Sequence, residues 1–434
     1  MYITKIDDIT FKAANMKSLN KNLAGACLIA LLFAITGALT AQPAFVTING
    51  TILDAGSGEK ISFATITVPG TGIGTVSNSD GEFTLKIIAS LDAEYFEISH
   101  LSYATEKFSI SESAGTDQTF YLTVRPVQLK EIAVLPTDAR GIVEAAMNNI
   151  RKNYSEAPNM MTAFYRESIM QRRDYVSISE AVIDIYKAPY AGVQGDQVKI
   201  YKGRKSTFYK RSDTLLVQLR GGPQVLMLLD IVKNTNLSIA LDNLNNYRFE
   251  FATVVSIDDK LNWVINFEPA VFREDPLYYG KLYIAQDSYA ITRAEFSLDL
   301  SDQSKAAQAF VQKKPAGVVF VPTSTGYLVT YKEQNGKYYL NYVRVDLRFR
   351  CDWKRKLFKN NYTILSETAI TGRREDNVAR FAGPEVFRQN MVFVEKVEDF
   401  ADVDFWGEHN IIEPESSIEN AIGKIIKRLK PNSD

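Results

Sequence analysis

Two short stretches near the amino terminus contain the residue types of ligand-binding loops. Residues 70–75 read GTGIGT, with glycine at alternate positions, and residues 78–81 read NSDG. Spaced glycines can cradle a phosphate when they join a strand to a helix, because the helix N-terminus then holds the anion. Asparagine, aspartate and glycine can form part of a calcium loop. Each kind of site depends on the element that the loop leads into.

The residues after both loops argue against both kinds of site. Residues 82–87, EFTLKI, alternate in the manner of a strand, and the lysine followed by serine or threonine that a phosphate loop requires is missing. With Gly81 as the calcium-loop glycine, the first and twelfth ligand positions fall on Val76 and Ile87, whose side chains offer no oxygen. We therefore predict that the segment forms turns, in which glycine supplies a positive φ.

The histidines and the cysteine argue against the common catalytic sets. His100 and His409 are the two histidines, and neither lies in an H-x-x-E or H-E-x-x-H motif, so the ligand set of a zinc peptidase is lacking. No G-x-S-x-G elbow accompanies them. Cys351 alternates inward along a strand, where a thiol is usually an inert core residue. We predict no catalytic, cofactor-binding or metal-binding residues and no cofactor, and a hydrolase that uses two carboxylates stays open.

The first 41 residues are predicted to be a secretory signal peptide. Lys17 and Lys21 precede an apolar run at residues 23–39, and small residues come after it. Met16 is an alternative start to Met1. An uncleaved anchor is the alternative to cleavage, because about 17 apolar residues are close to the lower limit for spanning a bilayer.

The remaining chain has balanced charge and one cysteine. The full chain has 50 basic and 51 acidic residues, and four basic and two acidic ones precede residue 42, which leaves a net charge of −3. This balance argues against nucleic acid as a partner. Cys351 alone cannot form an internal disulfide, so the apolar core must hold the exported fold. No later apolar run is long enough to cross a membrane as a helix.

Residues 45–127 are predicted to form an antiparallel β-sandwich, because short alternating strands are separated by turn signals about every ten residues. The segment resembles the carboxypeptidase regulatory-like domain through GTILD at 50–54, GEK at 58–60, ATITV at 64–68, GT at 70–71 and 74–75, DGEFTL at 80–85 and LTVRPVQLKEIAVLP at 122–136. The resemblance implies a transthyretin-like sandwich, common at the N-terminus of exported proteins of Gram-negative envelopes, including TonB-dependent receptors. The sequence departs from the family pattern at Asn78 and Ser102.

After a linker at 128–137, residues 138–434 are predicted to fold as helices packed on an antiparallel sheet. Helical spacing of apolar residues begins at residue 137 and continues to 154, with Thr137 or Asp138 as the cap. Further helices are predicted at 222–233, at about 302–312 and at 416–430. In the last of these, Ser416 and Glu419 form a capping box.

The strongest strand signal is NYVRVDLRFRCDW at residues 341–353, with Glu333-Gln334-Asn335-Gly336 as the hairpin turn before it. One face is apolar and the other is charged, which predicts one buried and one wet face. The charged face consists of Arg344, Asp346, Arg348, Arg350 and Asp352. It is either an anion-binding row or a solvated strand face, and the two aspartates favour the second interpretation.

Residues 261–300 are similar to the strand pattern of periplasmic lipoprotein carriers of the Lol type. The shared features are G-x-L-Y-I at 280–284, a polar turn and A-I-x-R-x-E-F at 290–296. The similarity implies a curved antiparallel sheet around helices, with an apolar cavity for acyl chains. It assigns no functional residue.

These observations predict a mainly β, non-enzymatic cell-envelope protein, periplasmic or associated with the outer membrane. The second domain would bind an apolar, lipid-like ligand or an envelope protein, with the sandwich as an accessory module. The alternatives are a scaffold or accessory subunit of an outer-membrane assembly and, third, a carboxylate-based hydrolase. The ligand, the partner and the oligomeric state stay open.

Overall fold

The computed structural model describes residues 44–126, 138–192, 194–207, 218–219, 222–233, 241–271, 276–313, 318–353, 360–399 and 405–429. Strands predominate and helices are few, so the predicted fold class is confirmed. The predicted signal peptide at 1–41 and the linker at 128–137 lie outside the described residues. By its contacts the chain divides into two compact units. The described part of the smaller one is residues 44–45 with Ile88–Leu91, where the Ala89 N–H donates to the Ala44 carbonyl.

The amino-terminal region contains two small sheets. One has the order β4-β1-β7 and the other β3-β2-β5-β6. The strands are β1 (Phe45–Asp54), β2 (Thr65–Thr67), β3 (Gly74–Val76), β4 (Glu82–Ile88), β5 (Tyr95–Ser99), β6 (Glu106–Ser109) and β7 (Asp117–Leu122). β1 and β7 pair in parallel, which is a departure from the predicted antiparallel arrangement.

Alternate residues of these strands build the core between the two sheets, as the period of two requires. Phe83 of β4, Phe96 of β5 and Phe120 of β7 are fully buried. Their ring centroids lie 5.5–6.4 Å apart, a separation at which aromatic rings attract one another. The core is therefore shared by both sheets, as in a sandwich.

The second region is built on a sheet of eleven strands in the order β12-β13-β14-β15-β17-β18-β19-β8-β9-β10-β20. All its pairs are antiparallel except β10 with β20. Its strands are β8 (Asn159–Gln171), β9 (Asp174–Lys187), β10 (Gln197–Thr207), β12 (Tyr247–Ile257), β13 (Lys260–Pro269), β14 (Tyr278–Ala285), β15 (Ile291–Leu298), β17 (Val318–Gln334), β18 (Lys337–Trp353), β19 (Asn360–Arg374) and β20 (Glu398–Asp399). β11 (Gln218–Leu219) and β16 (Val311–Lys313) form a separate pair.

The described helices are short. They are α1 (Ile110–Ser113), α2 (Ala139–Asn148), α3 (Ile150–Asn153), α4 (Pro223–Leu228), α5 (Gln303–Phe310) and α6 (Ser416–Leu429), with 3-10 turns at Leu241–Asn246 and Phe393–Glu395. Asp138 caps α2 by accepting the Gly141 N–H at 2.8 Å, as the sequence predicted. In the described part of the chain, no helix combines the length and apolarity that crossing a membrane would need.

The two faces of the large sheet have different coverings. On one face, here called the helix face, Ile142, Val143 and Met147 of α2 and Leu226 of α4 pack into the largest apolar cluster. On the other face, here called the sandwich face, Val76 of β3 packs with residues from four strands and the carboxyl-terminal segment: Phe164, Val182, Tyr342, Ala369, Trp406 and Ile412.

Three sequence predictions need correction. Residues 74–76, taken as part of a turn, form the short strand β3 between β2 and the NSDG turn. The helix predicted at 222–233 is limited to α4, and turns come after it. Ser416 and Glu419 do not form a capping box, because the Ser416 hydroxyl donates to Asp80 and the Glu419 N–H donates to the Glu415 carbonyl.

Candidate functional site

At one end of β17, β18 and β19 the helix face carries a compact group of apolar side chains, here called the apolar patch. Each strand contributes alternate residues, because side chains on one face of a strand repeat every second position. Its members are Val318, Phe320, Leu347, Phe349, Cys351, Tyr362 and Ile364. The Phe349 ring lies 4.5 Å from that of Phe320 and 5.4 Å from that of Tyr362.

Helix α5 lies against the apolar patch and contributes little to it. Of the described apolar side chains outside the sheet, Ala307 and Phe310 are the ones that pack there. Ala306 is buried in the larger cluster, whereas Gln308 is exposed. Phe310 and Val345 contact both clusters, so the apolar surface is continuous. A short helix that buries little apolar area is held weakly, since burial contributes about 25 cal/mol per Å².

A group of buried polar side chains, here called the polar clasp, also lies on the helix face. The Lys187 ammonium donates to Asp196 and to Asp230, each at 2.6 Å, and Asp230 also accepts the Tyr331 hydroxyl at 2.7 Å. The Lys233 ammonium donates to the Ala188 carbonyl at 2.9 Å. Two ammonium groups and two carboxylates balance in charge, as buried ions require.

Burial and ion pairing oppose each other at the two lysines of the clasp. Burial lowers the pKa of Lys187, but Asp196 and Asp230 reverse this and the net pKa is raised. Burial lowers the pKa of Lys233, and Asp196 only partly offsets it. Burial also raises the pKa of Tyr331 well above its ordinary value. Because each carboxylate of the clasp already accepts hydrogen bonds, this geometry fixes the end of β9 to the turn after α4.

On the sandwich face, buried arginines hold a segment without regular structure, here called the strap (residues 405–415). The Arg166 guanidinium donates to Glu180 at 2.8 Å and to the Ile412 carbonyl at 2.7 Å. Arg204 shares Glu180 at 3.0 Å and lies 4.6 Å above the Trp406 ring. Burial acts to lower the pKa of Arg166, but the neighbouring glutamates raise it, so it stays charged.

The loops first considered as ligand sites contact the first residue of α6 and the large sheet instead. Asp80 of the NSDG turn accepts the N–H and the hydroxyl of Ser416, each at 3.0 Å, and the backbone bond from Ser416 lowers the Asp80 pKa. Asn78 turns the chain by accepting the N–H groups of Asp80 and Glu82. At Gly72, a Cβ would lie 2.4 Å from the Arg373 carbonyl oxygen, so the close contact with β19 requires glycine.

The arginine side chains on the charged face of β18 form ion pairs with neighbouring carboxylates. Arg348 lies 3.4 Å from Asp346 and Arg350 lies 3.1 Å from Asp352. Arg344 lies 3.5 Å from Glu367 and its guanidinium is 4.4 Å from the centre of the Phe63 ring. The pairing fits the prediction of an ordinary strand face and leaves no row of unpaired arginines there among the described residues.

Two acids line an open cavity of about 490 Å³ on the sandwich face, which bears on the hydrolase alternative. Glu295 of β15 is paired with Arg293 at 2.6 Å, and Asp346 of β18 is paired with Arg348. β17 lies between the two strands, so the carboxylates face different neighbours. Each of the two carboxylates is therefore paired with an arginine of its own strand.

The two histidines have different surroundings. His100 lies beside Tyr103, with ring centroids 5.4 Å apart, whereas His409 belongs to the strap and lies 5.2 Å from the Tyr201 ring. Burial lowers the pKa of both, that of His100 to about 4. Within the described ranges, no group of three or more histidine, cysteine, aspartate and glutamate residues is placed to hold a metal ion.

Comparison with known proteins gives one family match. Residues 48–134 match a CarboxypepD_reg-like domain. The resemblance drawn from the spaced glycines is thereby confirmed for this part of the chain. No curated protein matches the chain.

Several solved structures are similar to this protein, and each covers slightly more than half of its chain. A DUF1329 family protein from Desulfovibrio piger is 11% identical with a TM-score of 0.24, covering 56% of this chain and 96% of that one. An outer membrane lipoprotein-sorting protein domain from Vibrio parahaemolyticus is 10% identical with a TM-score of 0.24, covering 56% and 95%. A LolA superfamily protein from Nitrosomonas europaea is 12% identical with a TM-score of 0.23, covering 58% and 99%.

Proposed function

We propose that the chain is an exported, non-enzymatic cell-envelope protein that binds an apolar, lipid-like ligand on the helix face of its large sheet. The supporting observation is the apolar patch, which consists mainly of large apolar side chains. Among the described apolar side chains outside the sheet, Ala307 and Phe310 of α5 are the ones that pack on it. An acyl chain that displaced α5 would contact Phe320, Phe349 and Tyr362 of the apolar patch. It would replace the contacts that the two α5 side chains make there. Apolar burial is the driving force for such binding.

The same proposal assigns the other parts of the molecule. The boundaries are a signal peptide at 1–41, the sandwich at 45–127, a linker at 128–137 and the ligand-binding domain at 138–434. The sandwich and the strap cover part of the sandwich face and leave the helix face to the ligand. The polar clasp is structural, because its carboxylates are already engaged.

A titration of delipidated protein with a fluorescent fatty acid tests the proposal. Ala307→Asp would bury an unpaired charge between α5 and the apolar patch, which is costly, so it should loosen α5 and strengthen the binding of a ligand that displaces this helix by about tenfold. Gln308→Asp puts the same charge on the exposed side of α5 and should leave binding unchanged. Failure of the wild-type protein to bind the probe, or equal effects of the two substitutions, would contradict the proposal.

A further inference from the structure

The hairpin between β8 and β9 ends beside the apolar patch, and its tip carries two arginines to which the proposed function gives no role. Arg172 and Arg173 form the two-residue turn of this hairpin. Gln171, the last residue of β8, pairs with Tyr362 of the patch, and the Arg172 N–H donates to the Asn361 carbonyl at 3.1 Å. The turn therefore borders the patch at the start of β19.

The apolar surface continues from β17 to this hairpin. Ile169 of β8 pairs with Ile364 of β19, and its side chain packs against the patch. β8 is the third strand from β17 in the sheet, so spacings of about 4.8 Å place the two strands about 14 Å apart. An extended acyl chain that lay across the patch would bring one of its ends to the hairpin.

The two arginines offer positive charge that is not held in ion pairs. Both are exposed, and neither guanidinium forms an ion pair or a hydrogen bond with another residue in the described part of the chain. Asp174 follows them and is also exposed, so the three side chains carry a net charge of +1. In contrast, Arg348 and Arg350 of β18 are each paired with an aspartate. A free guanidinium can bind a carboxylate or a phosphate through two parallel hydrogen bonds.

The backbone of the turn is unusual for arginine. Tight two-residue hairpin turns need a residue at positive φ, a conformation that glycine and asparagine adopt most readily. The turn before β18 follows this rule with Asn335 and Gly336, whereas Arg172 has a φ of +58°. Residues held in such sparsely populated conformations cluster at sites that bind ligands. The strain is thus a second observation that points to a role for the turn.

We propose that the ligand of the apolar patch carries an anionic head group, which Arg172 and Arg173 bind at the hairpin. This inference rests on the proposed function and adds the charge class and the direction of the ligand. The acyl chain lies across the patch, and the anion lies beside the turn. A neutral head group would gain no ion pair there, and a cationic one would be repelled.

Displacement of Nile red, an uncharged fluorescent probe, from the delipidated protein tests the head group. Laurate, dodecanol and dodecyltrimethylammonium share one chain length and carry a negative charge, no charge and a positive charge. We expect laurate to bind about tenfold more tightly than dodecanol, and the cation to bind more weakly than either. The advantage of laurate should shrink as the salt concentration rises, because exposed charges are screened.

Two double variants show where the preference arises. Arg172→Gln with Arg173→Gln removes both charges and should abolish the preference for laurate, while the affinity for dodecanol stays at the wild-type value and shows that the fold is intact. Arg151→Gln with Lys152→Gln is the matched control, because these exposed neighbours lie on α3, where their carbonyls accept from Lys337 at the start of β18. The patch lies near the other end of that strand, so the control should keep the preference.

The outcomes separate this inference from the proposed function. Binding of dodecanol as tight as that of laurate in the wild-type protein would overturn the inference and leave the proposed function standing. The inference would also fall if the hairpin variant kept the preference, or if the control variant lost it to the same extent. If none of the three compounds binds, the proposed function fails and the inference fails with it.

Discussion

His100 is a residue whose protonation is controlled by its buried position. Burial and the nearby charge of Arg293 lower its pKa from 6.5 to about 4. Its Nδ1 atom is buried and has no hydrogen-bond partner among the described residues. Arg293, Lys332 and Asp258 line the same small cavity, so two cations and one acid face the ring. A proton on His100 would therefore be poorly accommodated.

We expect the free energy of unfolding to fall as the pH drops from about 6.5 toward 4. In this window the unfolded chain takes up a proton on His100 while the folded chain does not, so stability present above pH 6.5 is lost. His100→Gln should reduce this pH-dependent loss by on the order of 2 kcal/mol. Urea titrations across the window measure it. A variant whose profile matches that of the wild type would contradict the assignment.

Gly72 stands out in the sequence as part of a possible phosphate loop, but the structure requires glycine there for a different reason. Spaced glycines suggested a phosphate loop, but the next element is the strand β3 and not a helix. The glycine is needed because β19 backbone atoms lie where a Cβ would be. Long-range contact of this kind has no local sequence signal, since Arg373 is some 300 positions away.

At the scale of elements, local patterns predicted strands and hairpins well. The alternation on β18 and the turn before it are as predicted, with Asn335 and Gly336 both at positive φ. The apolar half of this pattern marked Leu347, Phe349 and Cys351 as buried, and these form the centre of the apolar patch. Periodicity predicts such elements because a half-buried strand must alternate.

The strap could not be predicted in the same way. Residues 405–415 have neither helical nor strand periodicity, and their partners are distant in sequence: Arg166 is separated from Ile412 by 246 positions and Asn78 from Pro414 by 336. Arg166 itself looks like an ordinary strand residue in the sequence. Only the folded chain brings Arg166 and Arg204 together at Glu180 and places the Arg204 guanidinium over the Trp406 ring.

Replacing Arg166 should therefore be far more harmful than replacing an exposed arginine. Arg166→Met leaves Glu180 with one partner fewer and removes the bond to the Ile412 carbonyl, so we expect a loss of about 3–5 kcal/mol in the free energy of unfolding. Arg348→Met removes a pair whose arginine side chain is 62% exposed, and we expect a change within about 0.5 kcal/mol. Urea titration of both variants gives the comparison, and similar losses would refute the role of the buried cluster.

At the scale of the whole molecule, the sandwich and the large sheet are linked by many polar bonds. Arg125 pairs with Asp259 at 2.8 Å, and Asn410 of the strap donates to the Lys86 carbonyl at 3.0 Å. The Ser102 N–H donates to the Ser256 carbonyl at 2.9 Å. These bonds, together with the apolar cluster around Val76, couple the stability of the two regions.

We expect the protein from residue 42 onward to unfold in one calorimetric transition. Because the strap joins both regions, loss of either should expose buried groups of the other. The calorimetric enthalpy should then equal the van't Hoff enthalpy. Two separated transitions would mean that the sandwich is an independent module.

The reactivity of Cys351 tests the central claim most directly. This thiol is fully buried at the centre of the apolar patch and is the one cysteine of the chain after residue 41, so it reports on the patch without any substitution. Its rate of reaction with a thiol reagent should be limited by opening of the region around α5. We expect saturating palmitate to slow labelling of the delipidated protein severalfold, because the acyl chain would cover Cys351. An unchanged rate at saturating palmitate would contradict ligand binding at the apolar patch.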